Sequence, residues 1–278
     1  MIEGEPSRTA WSAARHRAAH QVVDEGRVFP DPVAVPITGW SPEQVADDAL
    51  RHPERRGMRA FIACRHRYAR DVLTAHGAEA QVVVLGAGLD TIAYQPAPTG
   101  RGTVFEVDHP ATQAWKRERL TEAGIAPTTT VRYVGVDFET DDLTAALVAA
   151  GFDRTHPAVV VWLGVTVYLT AAAVEQTVAQ VGELTTARTD LVLDYSERDD
   201  RSGVGDRRAA RAASVAAIGE PWVTYFAPSD LGALLERHGM RVAEDLGLSG
   251  WGARYLGLPP GRPERPSGHL VHAVGHGT

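Results

Sequence analysis

The stretch that most constrains this chain is QVVVLGAGLD, from Gln81 to Asp90, read together with the acid that closes the next apolar run, Asp108 in GTVFEVD. A continuous apolar run that stops at closely spaced glycines predicts a buried parallel strand delivering its backbone to a ligand, because only residues without a Cβ allow so close an approach. Asp108 follows Gly88 by 20 residues, the spacing at which an acid ending a second strand accepts hydrogen bonds from ribose hydroxyls. A dinucleotide and an adenosine-containing cofactor both satisfy this much. The dinucleotide fingerprint wants a third glycine three residues after the second, and position 91 is Thr91, which argues against an NAD(P)-binding oxidoreductase.

The rest of the chain arranges itself around that turn. Apolar runs at 81–86, 102–108, 131–137, 158–164 and 190–196 alternate with helical segments at 111–122, 140–150 and 171–186, and a helix at 229–238 precedes runs at 241–246 and 269–274. Val-rich runs without strict alternation mark strands buried on both faces, and intervening helices are what parallel neighbours require. The expected fold is α/β: a doubly wound, mostly parallel, seven-stranded sheet of the Rossmann-like kind. Helices expected at 7–25, from Ser41-Pro42-Glu43 onward and at 61–75 precede it, the second announced by a polar start, a proline at the first helical position and an early acid. Residues 1–78 are therefore expected to form an N-terminal helical cap and 79–278 the cofactor-binding core. Residues 197–228 are read as an inserted helical lid over the substrate, because a stretch with Arg201, Arg207, Arg208 and Arg211 and no apolar face does not build a sheet.

Composition narrows the partners. A formal charge of -7 argues against nucleic acid, which needs a basic face. The single cysteine, Cys64, excludes a disulfide framework, and no Cys/His spacing suggests a metal. No run reaches the roughly 18 apolar residues of a membrane helix, and the start, TAWSAARHRAAH, lacks the apolar core of a signal peptide. A cytoplasmic protein with no membrane partner is expected, its oligomeric state open. Asp137, closing the third strand before Phe138, could accept from an adenine amino group with the ring packed beside it, or could cap the next helix.

Blocks along most of the chain resemble the leucine carboxyl methyltransferase family of class I enzymes dependent on S-adenosylmethionine (SAM), in particular a bacterial branch similar to polyketide O-methyltransferases of secondary metabolism. They are ARHRAAH, VFPDPVA, CRHRYARDVL, VVVLGAGLDTIAY, FEVDHPATQAWKRERL, YVGVDFETDDL, VVVWLGVTVYL, GEPW and FAPSDLGALLERHGM. The resemblance implies SAM as cofactor, with Gly86, Gly88 and Asp90 cradling its methionine part, Asp108 its ribose, and Asp137 with Phe138 its adenine. It implies that Arg65 pairs with the SAM carboxylate, a role its fork of donors suits; Arg67 is the rival for that contact. Leu163 stands where the family usually carries a glutamate facing the cofactor.

SAM carries its own leaving group, so a protein using it must mainly hold an oxygen in line with the methyl carbon. A carboxylate acceptor is already ionised at neutral pH, whereas a phenol or alcohol needs a base. No dedicated base stands out, which favours a carboxylate on a small molecule or a peptide C-terminus; phenol or alcohol methylation and a SAM-binding protein without activity are the alternatives. If a base or acceptor-side group is present, Tyr168 and His20 are the leading candidates, with His109 and Tyr195 behind them. Arg17 and His20 are otherwise expected as exposed residues of a solvated first helix.

Overall fold

Seven strands form one sheet: β1 (Gln81–Leu85), β2 (Thr103–Asp108), β3 (Thr130–Gly135), β4 (Ala158–Trp162), β5 (Thr189–Ser196), β6 (Met240–Leu246) and β7 (Gly268–Gly275), in the order β3-β2-β1-β4-β5-β7-β6. The computed structural model describes residues 7–76, 80–96, 102–184, 188–198, 222–259 and 267–275. All neighbours pair in parallel except β7, which runs antiparallel to both β5 and β6. The sheet and its polarity are those expected; most of the inserted stretch, with its four arginines, lies outside the described residues.

The Val-rich strands are buried on both sides, as their composition requires. Val83, Phe105, Val160 and Leu191 turn to one apolar cluster and Val82, Val104, Val159 and Val192 to the other. Each such side chain stabilises the fold by about 1.5–3 kcal/mol. The first cluster is covered by α5 (Leu143–Ala149), α6 (Ala171–Gly182) and α7 (Pro228–Arg237). The second is covered by α1 (Arg8–Val23), α3 (Arg56–His76), α4 (Pro110–Glu122) and α8 (Leu248–Leu256). Ala14 of α1 and Cys64, Tyr68 and Leu73 of α3 share that cluster with β1, so the cap helices and the sheet are packed around one core.

Local signals explain the element ends. At α2 (Pro42–Arg51) the Ser41 hydroxyl accepts from Gln44 N–H while the Gln44 side chain accepts from Ser41 N–H, a reciprocal cap at the helix start expected from Ser41-Pro42-Glu43. His109 caps α4, its Nδ1 accepting from Ala111 N–H at 3.2 Å. Helix α8 is not foreseen in the sequence, because Gly250 and Gly252 depress its propensity; they are used for packing, since a Cβ at either would come within 2.9 Å of Leu246 or Leu258.

The first helix departs from expectation in burial. Arg17 and His20 are not solvated but 3% exposed each. Arg17 donates through Nε to Asp31 Oδ2 at 3.3 Å and through Nη2 to the Leu89 carbonyl. It thereby pins α1 to the glycine turn.

Candidate cofactor and methyl-transfer site

The strand order reverses between β1 and β4, the point where open α/β sheets leave a crevice at the strands' carboxyl ends. The sequence puts glycines there. Gly86 and Gly88 have φ of +63° and +44°, and a Cβ on Gly86 would lie 2.3 Å from Val165 Cγ2. That contact ties the loop after β1 to the loop after β4. On the other side, Gly88 lies against Ala10 of α1, so the first turn of the cap roofs the glycine loop.

Two acids hold the turn open. Asp108 accepts from Gly88 N–H at 2.6 Å through Oδ2 and from His109 N–H at 2.7 Å through Oδ1. Burial pushes its carboxyl above the usual carboxylate range, against the pull of those two N–H groups. Hydroxyls donated to its remaining lone pairs would restore the charged form. Asp90 accepts from Ile92 N–H at 2.7 Å and faces His66 Nε2 at 3.5 Å. Burial opposes its ionisation, but the His66 contact and the charges of Arg17 and Lys116 outweigh it, holding the carboxyl well below its usual range.

Helix α3 and strand β5 close the crevice. Arg65 donates through Nη1 to Asp194 Oδ2 at 3.2 Å, and Asp194 Oδ1 accepts the Gly164 N–H. The Arg65 guanidinium packs so closely on Gly164 that a Cβ there would lie 2.6 Å from Nη1. Its Nε is buried and has no hydrogen-bond partner. Arg67, the rival, points elsewhere: it is bonded to Asp71 Oδ1 at 2.7 Å and is 43% exposed. Thus Arg65, Gly86, Gly88, Asp90 and Asp108 are brought to one edge, and the pairing of Arg65 with Asp194 is the feature sequence reasoning missed. No local motif announces a bond across 129 residues.

The other expected residues fall as follows. Asp137 is exposed and accepts from Glu139 N–H at 3.0 Å, a turn-capping bond, while Phe138 packs partly buried on the first cluster. Leu163 packs partly buried on the second cluster. Tyr168 lies in the short turn after β4, its N–H donating to the Val165 carbonyl at 2.9 Å. His20 lies at the end of α1, where its Nδ1 meets Asp24 at 3.1 Å and its Nε2 accepts from Val28 and Phe29 N–H at 3.3 Å each. Both ring nitrogens are spent fastening the end of α1 to the following turn. His109 is a helix cap, and Tyr195 donates to Asp245 Oδ2 at 2.9 Å. Among the described residues no group of three or more metal-ligating side chains converges, and no helix is long and apolar enough to cross a membrane.

The fold is that of the class I SAM-dependent methyltransferases. A structure from Thermobifida fusca, provisionally named a methyltransferase, overlays 100% of this chain and 97% of its own at a TM-score of 0.57 and 18% identity. The chain belongs to the leucine carboxyl methyltransferase family, which it matches over residues 10–182. A protein of Mycobacterium ulcerans, provisionally named an S-adenosyl-L-methionine-dependent methyltransferase, is 32% identical over 216 residues, covering 76% of this chain and 68% of that protein. A similarly named Mycobacterium avium protein is 30% identical over 243 residues, covering 80% and 76%. The chain is a SAM-dependent methyltransferase, and SAM is its cofactor; the oxidoreductase alternative falls with that assignment.

The residues fit the cofactor. Val165 and Ala10 leave no room for a side chain on Gly86 or Gly88, the Asp108 carboxylate has lone pairs beyond its two backbone bonds, and the unpartnered Arg65 Nε is a donor of the kind that suits an anion. When bound, SAM supplies a methyl group on a sulfonium that leaves as a neutral thioether. A chain that uses it has to bind, orient and exclude water; here α1 packs on Gly88 through Ala10 and reaches the Leu89 carbonyl through Arg17.

Proposed function

We propose that the chain is an O-methyltransferase whose acceptor is a carboxylate, on a polyketide-like small molecule of secondary metabolism or on a peptide C-terminus. The observation that carries this reading is the commitment of the basic candidates to structure: His20 has both nitrogens engaged in the α1 turn and His109 caps α4. A carboxylate acceptor needs no base, so such a site has only to position it, an effect worth up to roughly 7–11 kcal/mol of barrier. In this reading Arg65, Gly86, Gly88, Asp90 and Asp108 hold the cofactor, Asp137 and Phe138 border its adenine, Leu163 lines its methionine end, and Tyr168 flanks the acceptor. Residues 1–78 act as the cap.

The test is transfer of a labelled methyl group from SAM to a panel of carboxylic acids and phenols. Mild alkali releases the label from an ester as methanol and leaves an aryl ether intact. Alkali-labile product is expected; alkali-stable product would establish a phenol acceptor instead, and binding of SAM with no product would point to a binding protein. Asp108→Ala is expected to weaken SAM binding about ten- to hundred-fold, the ~1.5–3 kcal/mol of hydrogen bonds to a charged group, with the circular dichroism spectrum unchanged. Unaltered affinity would remove Asp108 from the site.

A further inference from the structure

The methionine end of SAM is a zwitterion, and its two charges need opposite partners. Arg65 offers one: a buried guanidinium with an unpartnered Nε, suited to a carboxylate. An ammonium buried beside it needs an anion, and Leu163, at the family's glutamate position, provides none. The two acids of the glycine turn serve other ends of the cofactor. The spare lone pairs of Asp108, beside its bonds to Gly88 and His109 N–H, go to the ribose hydroxyls in the proposed function, and Asp90 is held between Ile92 N–H and His66.

That leaves Asp194. It is 6% exposed and joins α3 to the loop after β4: its Oδ2 on Arg65 at 3.2 Å and its Oδ1 on the Gly164 N–H, next to the Val165 that touches Gly86. A carboxylate has about four lone-pair directions, and these two bonds use half of them. We propose that Asp194 is the acceptor for the cofactor's α-ammonium, so that the zwitterion is read by an Arg65–Asp194 pair reaching from α3 and β5 rather than by a side chain at position 163. The pair is neutral, and the zwitterion adds one charge of each sign; each buried charge then has an opposite neighbour, the condition under which buried ions are tolerated. The assignment rests on SAM being the cofactor.

Three ligands separate the proposal from a merely structural Asp194. S-Adenosylhomocysteine carries both charges, its desamino analogue keeps the carboxylate and lacks the ammonium, and 5′-methylthioadenosine lacks both. Titration calorimetry on wild type and Asp194→Asn is the measurement; the amide oxygen keeps the bond to Gly164 while the charge is lost. Asp194→Asn is expected to weaken S-adenosylhomocysteine at least tenfold and to leave the desamino analogue and methylthioadenosine within about twofold. An equal loss for S-adenosylhomocysteine and its desamino analogue would mean that Asp194 only holds Arg65, and no loss for either would exclude it; both overturn the proposal. If wild type bound none of the three, the cofactor assignment itself would fail. Should Asp194→Asn not fold, Asp194→Ser carries the same comparison.

Discussion

Thr91 is fully buried, and its hydroxyl works in two directions, donating to Asp31 Oδ2 at 2.7 Å and accepting from Gln95 Nε2 at 2.7 Å. Asp31 in turn holds Arg17, so one threonine links the glycine turn to the segment after α1. Replacing it by the glycine of a dinucleotide fingerprint should therefore not create NAD binding. Thr91→Gly is expected to lower stability by about 1–3 kcal/mol, the cost of leaving buried partners unsatisfied, as a shift in the urea midpoint at unchanged slope; NADH binding by that variant would refute the account. At this scale the sequence is most informative where partners are close along the chain. Gly86, Gly88 and Asp108 are legible because one turn and one strand separate them. Asp194 is not, because its meaning comes from α3 and from Leu163, and no spacing rule connects them. The burial of Arg17 and His20 is equally invisible, since an Arg- and His-bearing helix reads as solvated until its partners Leu89, Asp31 and the Val28–Phe29 backbone are placed.

Strands β5, β7 and β6 carry an arrangement of their own at the edge beyond the cofactor crevice. His269, opposite Tyr195 in the β5–β7 register, meets Asp245 Oδ1 at 2.7 Å and Glu197 Oε2 at 3.4 Å, with the Tyr195 ring 4.8 Å away. Burial disfavours its charged form, but Asp245 and Glu197 outweigh that and raise its pKa above the ordinary 6.5. A folded-state pKa raised above the unfolded one gives stability that is complete below about pH 6.5 and is lost as pH climbs through the raised value. The thermal midpoint of wild type is expected to fall across that interval, and His269→Gln to flatten the fall; an identical slope in the variant would refute the assignment. The elements themselves were largely readable, because two-faced Val-rich runs admit few alternatives. Helix α8 was not, since its glycines serve packing against Leu246 and Leu258, and the placing of β7 between β5 and β6 has no local signature at all.

At the scale of the molecule, cap and core are not independent. Ala14, Cys64 and Tyr68 share their apolar cluster with Val82, Val84 and Leu270, and Arg17 reaches Leu89 from α1. Unfolding is expected in one transition, with tryptophan fluorescence, to which Trp11 and Trp40 of the cap contribute, and far-ultraviolet circular dichroism giving the same urea midpoint. Two separated midpoints would show that the cap melts alone.

The strand order carries a consequence for how such a chain comes off the ribosome. β7 is made after both of its neighbours, yet it lies between them. Until residues 268–275 emerge, β5 presents an open edge and β6 has no place in the sheet, two unpaired strands of the kind that invite wrong pairing. Parallel strands β1 to β5 can assemble as they appear, but the half of the sheet that holds Tyr195, Asp245 and His269 is finished last. A nascent chain of this sequence is thus most exposed to chaperones, proteases and its own copies in the interval before residues 268–275 are free to pair.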